Sequence, residues 1–151
     1  MSRLGRRDVL MRAGAWSALA FGGMLTGREA LAIDEEFAFN APSMHEALRA
    51  LGGIPAVGSQ IVLTAPDVAE NGAVVPVSVE CSLPGVNEIF VVVEANPNPL
   101  CVRFSIPEGT EPFVSTRIKM AESSKIYAVV RADGKLYAAS KSTTVTIGGC
   151  G

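Results

Sequence analysis

From Gln60 onward, apolar and polar residues alternate in short runs with a period of two. That alternation sends successive side chains to opposite faces of a strand. It predicts strands near 60–65, 74–82, 88–95, 100–106, 112–121, 124–132, 135–139 and 142–147. Turn signals separate them: Glu70-Asn71-Gly72, Pro84-Gly85, Asn96-Pro97-Asn98-Pro99, Pro107-Glu108-Gly109 and Asp133-Gly134. Asn-Gly and Asp-Gly each supply two residues suited to positive φ. Many short strands at this spacing predict an all-β antiparallel β-sandwich. No internal repeat or low-complexity segment interrupts the pattern.

Parity sorts the inside from the outside. Val75, Val77, Val79 and Cys81 share one face, and Pro76, Ser78 and Glu80 the other. Leu100, Val102, Phe104 and Ile106 are expected to face inward, with Cys101, Arg103 and Ser105 outward. Val114, Thr116, Ile118 and Met120 face inward, opposite Ser115, Arg117 and Lys119. Ile126, Ala128 and Val130 oppose Tyr127, Val129 and Arg131, a second set that is still partly apolar. With Val92, the outward Tyr127 and Val129 point to a covered sheet face. A partner protein, the second sheet or an N-terminal helix would each cover it.

Ahead of the strands the period changes to helical. Residues 33–40 read as an acidic leader containing Asp34-Glu35-Glu36. Ser43 and Glu46 have capping-box spacing. Met44, Ala47, Leu48 and Leu51 recur on one helical stripe, and Gly52-Gly53 ends it. His45, the only histidine in the chain, misses that stripe and reads as a surface residue.

Residues 1–32 are expected to be an export signal outside the fold. Ser2 to Arg12 is basic, Ala13 to Leu25 is apolar, and Ala30-Leu31-Ala32 fits a signal-peptidase site. The apolar run is about half the ~20 residues of a membrane-spanning helix, which argues against a membrane anchor. Paired Arg6-Arg7 resembles the twin-arginine signal, although Gly5, Val9 and Met11 depart from its usual residues. The expected compartment is the periplasm. The mature chain of 119 residues would keep 8 basic and 13 acidic residues, taking the net charge from −2 to −5. An acidic surface argues against nucleic acid and against anionic membranes.

All three cysteines, Cys81, Cys101 and Cys150, would stay in the mature chain. In an oxidising compartment an odd number leaves at least one unpaired or paired between chains. Opposite parity counts against a Cys81–Cys101 bridge. One histidine and three scattered cysteines offer no metal site and no cofactor site. The glycine-rich tail lacks the Lys-Ser/Thr ending of a phosphate loop.

The tail carries the chemistry. The β-branched run Thr143 to Ile147 gives way to Gly148-Gly149-Cys150-Gly151. Glycine adopts both signs of φ cheaply, so residues 148–151 are expected to form a slim arm. At roughly 3.3–3.6 Å per residue it would extend about 13 Å. No base or orienting group near Cys150 would make a catalytic thiol of it. A free thiol has a pKa near 8.5, and a neighbouring carboxylate would raise it. Cys150 therefore reads as a handle acted on by other proteins, with no catalytic residue in this chain.

Several stretches together resemble the SoxY family, the sulfur-binding carrier subunit of the bacterial thiosulfate-oxidation (Sox) system. They are the twin-arginine signal, Ile61 to Gly72 followed by Val75-Pro76, Asn96 to Pro99, Ser115 to Ser124, and Val145 to Gly151. The resemblance implies an immunoglobulin-like sandwich bound to a second β protein, SoxZ, as a heterodimer. It implies that Cys150 carries the sulfur on an arm with Gly148, Gly149 and Gly151. It further implies three visiting enzymes: a haem c enzyme that couples thiosulfate to the thiol, a hydrolase that releases sulfate, and a sulfur dehydrogenase. The alternative is an exported β-sandwich binding or structural module whose Cys150 only crosslinks two chains. A thiol enzyme is a third reading, with no activating residue to support it.

Overall fold

The computed structural model describes residues 34–147. The expected signal segment and Gly148, Gly149, Cys150 and Gly151 lie outside the described residues. Among the described residues two helices come first: α1 at Glu35–Asn40 and α2 at Met44–Leu51. Nine strands follow: β1 Ala56–Val57, β2 Ile61–Thr64, β3 Val68–Ala69, β4 Val75–Cys81, β5 Val86–Val93, β6 Leu100–Ser105, β7 Phe113–Ile118, β8 Ser124–Ala132 and β9 Lys135–Val145.

The strands form the expected sandwich. The larger sheet runs β1-β9-β8-β5-β6, with β3 also pairing β9; the smaller runs β2-β4-β7. Every long pairing is antiparallel, while β1 and β3 pair β9 in parallel. Between the sheets lies a core that includes Val75, Val77, Val79, Cys81, Ile89, Val91, Ile118, Met120, Ile126, Ala128 and Val130. Parity placed β4, β7 and β8 correctly, because a regular pleat leaves no freedom in which side chain faces in.

A third layer covers the outer face of the larger sheet. Ala38, Ala41, Ala47, Leu48 and Leu51 pack onto Phe90, Val92, Leu100 and Val129. The apolar outward set is thus closed by the chain's own N-terminal helices, and Val92 and Val129 offer nothing to a partner. Both helices are capped. Ser43 Oγ accepts from the Glu46 amide at 3.3 Å, and Gly52 ends α2 at φ 119°.

Four local expectations are corrected. The acidic leader is helix α1: Asp34 caps it by accepting from the Phe37 amide at 3.1 Å, and Glu35 and Glu36 favour its N-terminal dipole. Strands 135–139 and 142–147 are one strand, β9, continuous through Ser140-Lys141-Ser142. A backbone ladder does not require apolar side chains, and here Lys141 reaches out to Asp67 at 3.1 Å. The pair Asn71-Gly72 takes no positive φ, whereas Asp133-Gly134 does, at 48° and 76°.

The fourth correction concerns β6. Val91 pairs Val102, but Val92 pairs Leu100, so a bulge leaves Cys101 as the extra residue. A bulge shifts parity by one. Leu100 therefore turns to the helix layer, and Cys101 packs at the margin of the inter-sheet core. Both were expected on the opposite faces.

Candidate functional site

The end of β9 is held on both edges. On one edge Thr144 N donates to Asp67 O at 2.9 Å, and Thr146 N donates to Ala69 O at 3.1 Å. The Thr143 hydroxyl donates to Pro66 O at 2.9 Å, and that of Thr146 to Glu70 O at 3.2 Å. On the other edge Ser123 Oγ accepts from Val145 N at 2.8 Å. At Ile147 the carbonyl accepts from Gly72 N at 2.9 Å. Ile147 is the last described residue, and its side chain is 67% exposed.

That root is tied to the rest of the sandwich. Gly72 O accepts from Met120 N at 2.7 Å. Asn96 holds the segment around Met120 from the other side: Nδ2 donates to Lys119 O at 2.7 Å, and Oδ1 accepts from Ala121 N at 2.9 Å. Four stretches far apart in sequence thus meet here: Pro66 to Gly72, Asn96, Lys119 to Ser123, and Thr143 to Ile147. Their sequences carried a resemblance; their contacts give it a reason. From sequence Gly72 and Asn96 read only as turn residues and Ser123 had no role of its own, because each acts through a partner more than twenty residues away.

The other thiols are poor nucleophiles. Cys81 and Cys101 are both free. Cys81 is 3% exposed, and burial pushes its thiol pKa up against a smaller opposing hydrogen bond at Leu83. Burial likewise raises Cys101, partly offset by Asn96 and Val93. Asn96 Nδ2 donates to the Cys101 sulfur at 3.5 Å, and the thiol donates to Pro99 O at 3.5 Å. Only the thiolate attacks or binds metal, so both sulfurs rest protonated. His45 is exposed on α2. Among the described residues, no group of three His, Cys, Asp or Glu is placed to hold a metal ion. No described helix is long and apolar enough to cross a membrane.

A second feature lies under the helices. Ile54 and Val57, at 82% and 93% exposure, flank a groove of about 330 Å3 that Met44, Leu48, Tyr127 and Ala138 also line. Its lining is mostly apolar, with Tyr127 and Ser140 contributing the polar side chains.

Comparisons with known proteins agree on one family. The model of the sulfur oxidation protein SoxY matches residues 47–150. A solved structure, the sulfur carrier protein SoxY from Chlorobium limicola f thiosulfatophilum, is 37% identical, with a TM-score of 0.61. The match covers 70% of this chain and 97% of that one. A search of curated proteins found no match. Fold, converging motifs and comparisons lead to one conclusion: this chain belongs to the SoxY family of sulfur-oxidation carrier proteins.

Proposed function

We propose that this chain is a periplasmic carrier, exported by the twin-arginine route, that holds thiosulfate-derived sulfur on Cys150 and presents it to visiting enzymes. The supporting observation is the β9 terminus. A strand pinned on both edges hands the chain over at Ile147 to two glycines and a cysteine, while Cys81 is buried, Cys101 is half-buried, and desolvation raises the pKa of both. Gly148 and Gly149 carry no side chain to obstruct a narrow channel. Cys150 lies three residues past Ile147, a reach of roughly 10 Å when extended.

The chemistry belongs to the partners. A haem c enzyme joins the thiol to the outer sulfur of thiosulfate. The S–H bond breaks, an S–S bond forms, a proton leaves, and an electron pair passes to the haems. A hydrolase then adds water to the sulfonate sulfur, releasing sulfate and leaving a persulfide on Cys150. A sulfur dehydrogenase oxidises the outer sulfur of that persulfide to an S-sulfonate, taking three oxygens from three waters while six electrons pass to that enzyme and protons leave, and a second hydrolysis releases sulfate and restores the thiol. Tethering keeps each intermediate at high effective concentration beside the next enzyme. A SoxZ-type subunit completes the carrier as a heterodimer, and exposed Ile54 and Val57 are apolar surface available to such a subunit.

Intact mass spectrometry tests the reading. After incubation with thiosulfate and the haem enzyme, the chain gains the mass of the adduct, and Cys150→Ser does not. An unchanged wild-type mass, or an adduct retained in the variant, rejects it. A permanent interchain disulfide on non-reducing electrophoresis would favour the crosslinking module instead.

A further inference from the structure

We infer that Asn71 is a site of spontaneous deamidation, gated by the hydrogen bond from Gly72 N to the Ile147 carbonyl. Asn71 is the only asparagine of the chain followed by glycine. With no Cβ on Gly72, nothing shields its nitrogen from the neighbouring side-chain amide. Asn71 is exposed, and its Oδ1 accepts from Ala73 N at 2.9 Å. That bond folds the side-chain amide back over the Gly72 peptide and draws electron density from Cγ. Val74 N closes the turn by donating to Asn71 O at 3.4 Å. The carbon to be attacked is thus in place.

The nucleophile is withheld. Gly72 is buried; its N–H donates to Ile147 O at 2.9 Å, and its carbonyl accepts from Met120 N at 2.7 Å. Held this way, the nitrogen can neither give its proton to solvent nor turn toward Cγ. When the end of β9 lifts off, it can do both, and such local opening requires least free energy at the ends of elements. Gly72 N then loses its proton and bonds to Asn71 Cγ. The Cγ–Nδ2 bond breaks, and ammonia leaves, taking up that proton. Water opens the resulting five-membered imide at either carbonyl. One cut gives aspartate; the other gives a β-aspartyl link, with one more carbon in the main chain. The longer link moves Gly72 N and O out of register with Ile147 and Met120, so the gate does not re-form.

The test incubates the mature chain, folded and urea-unfolded, in warm, mildly alkaline buffer and follows Asn71 by peptide mapping. Amide hydrogen exchange at Gly72 is measured alongside, because it needs the same opening and the same loss of a proton. Deamidation in the folded chain is expected to be roughly ten- to hundredfold slower, the factor for opening two hydrogen bonds, and to match the slowing of exchange at Gly72. Thr146→Pro removes the bonds from Thr146 to Ala69 O and Glu70 O that hold the end of β9 beside this turn. It is expected to raise both rates by the same factor. Thr146→Val, which loses only the hydroxyl, raises both by less. Equal rates in the folded and unfolded chains overturn the gate. Deamidation that does not follow exchange at Gly72, in wild type or in either variant, overturns it too, assigning the protection to the turn itself. No deamidation at Asn71 in the unfolded chain overturns the site.

Discussion

Glu88 and Arg131 stand directly opposite each other in the β5–β8 ladder, and Arg131 Nε donates to Glu88 Oε2 at 2.5 Å beneath the helix layer. Glu88 Oε1 also accepts from Arg103 Nε at 2.8 Å, and Arg103 pairs in turn with Glu35 of α1. Arg131 Nη2 donates to the Leu51 carbonyl at 2.6 Å, near the end of α2, and its guanidinium lies 5.8 Å from the Phe90 ring centroid. One carboxylate thus organises two arginines, and each arginine reaches a different helix. Removing its charge leaves Arg131 with no carboxylate partner and Arg103 with only the more exposed Glu35. Glu88→Gln is expected to cost about 3 kcal/mol, near the lower end for breaking a buried pair, because the arginines retain some water contact. Urea denaturation at neutral pH measures it; a loss below about 1 kcal/mol would show that the pair is not needed to seat the helices.

The three thiols should separate by reactivity. At neutral pH a maleimide is expected to label one site in the folded mature chain, at Cys150. Cys81 and Cys101 should react only after denaturation, since burial keeps both protonated. Peptide mapping reads the sites. Fast labelling of Cys101 in the folded chain would contradict its raised pKa and its contacts with Asn96 and Pro99.

The same shifts set an alkaline limit. In the unfolded chain the Cys81 thiol returns to its ordinary value of 9.0, whereas burial in the fold holds its pKa higher. Above about pH 9 the unfolded state therefore holds fewer protons, and stability falls as pH rises. The contribution is intact below that pH and declines through the window up to the folded pKa. Cys81→Ala should make the denaturation midpoint less sensitive to pH between 8 and 10. An identical slope in the variant would assign the alkaline loss to other groups.

Gly85 is fixed by its surroundings. Its φ is +70°, and an added Cβ would meet Asp133 Oδ1 at 2.2 Å. Gly85 O also accepts from Asp133 N at 3.1 Å, joining two turns at one end of the sandwich. Gly85→Ala is expected to cost about 1–2 kcal/mol from the left-handed backbone alone, with a further penalty if the carboxylate cannot move. Thermal denaturation checks it. An unchanged midpoint would mean that the turn relaxes freely.

Much of this molecule is local and so was legible in the residues. Alternation in β4, β7 and β8 assigns core and surface because the pleat alternates strictly. Ser43, Gly52 and Asp133-Gly134 mark boundaries through their own backbone preferences. Gly148-Gly149-Cys150 is a candidate carrier segment on composition and order alone.

Other features needed the fold. The bulge at Cys101 is invisible to parity, because the extra residue appears only against a partner strand. Helix α1 forms where its buried Ala38 meets the helix layer and Glu35 meets Arg103; six residues make a poor helix in isolation. Ser123, Asn96 and Gly72 acquire their roles only when the chain brings them beside β9 and the segment it launches. Near-neighbour chemistry determined the strands, caps and thiol. Contacts across distant sequence decided how far Cys81 and Cys101 are buried and how the end of β9 is held, because hydrogen bonds and burial depend on what the fold brings together.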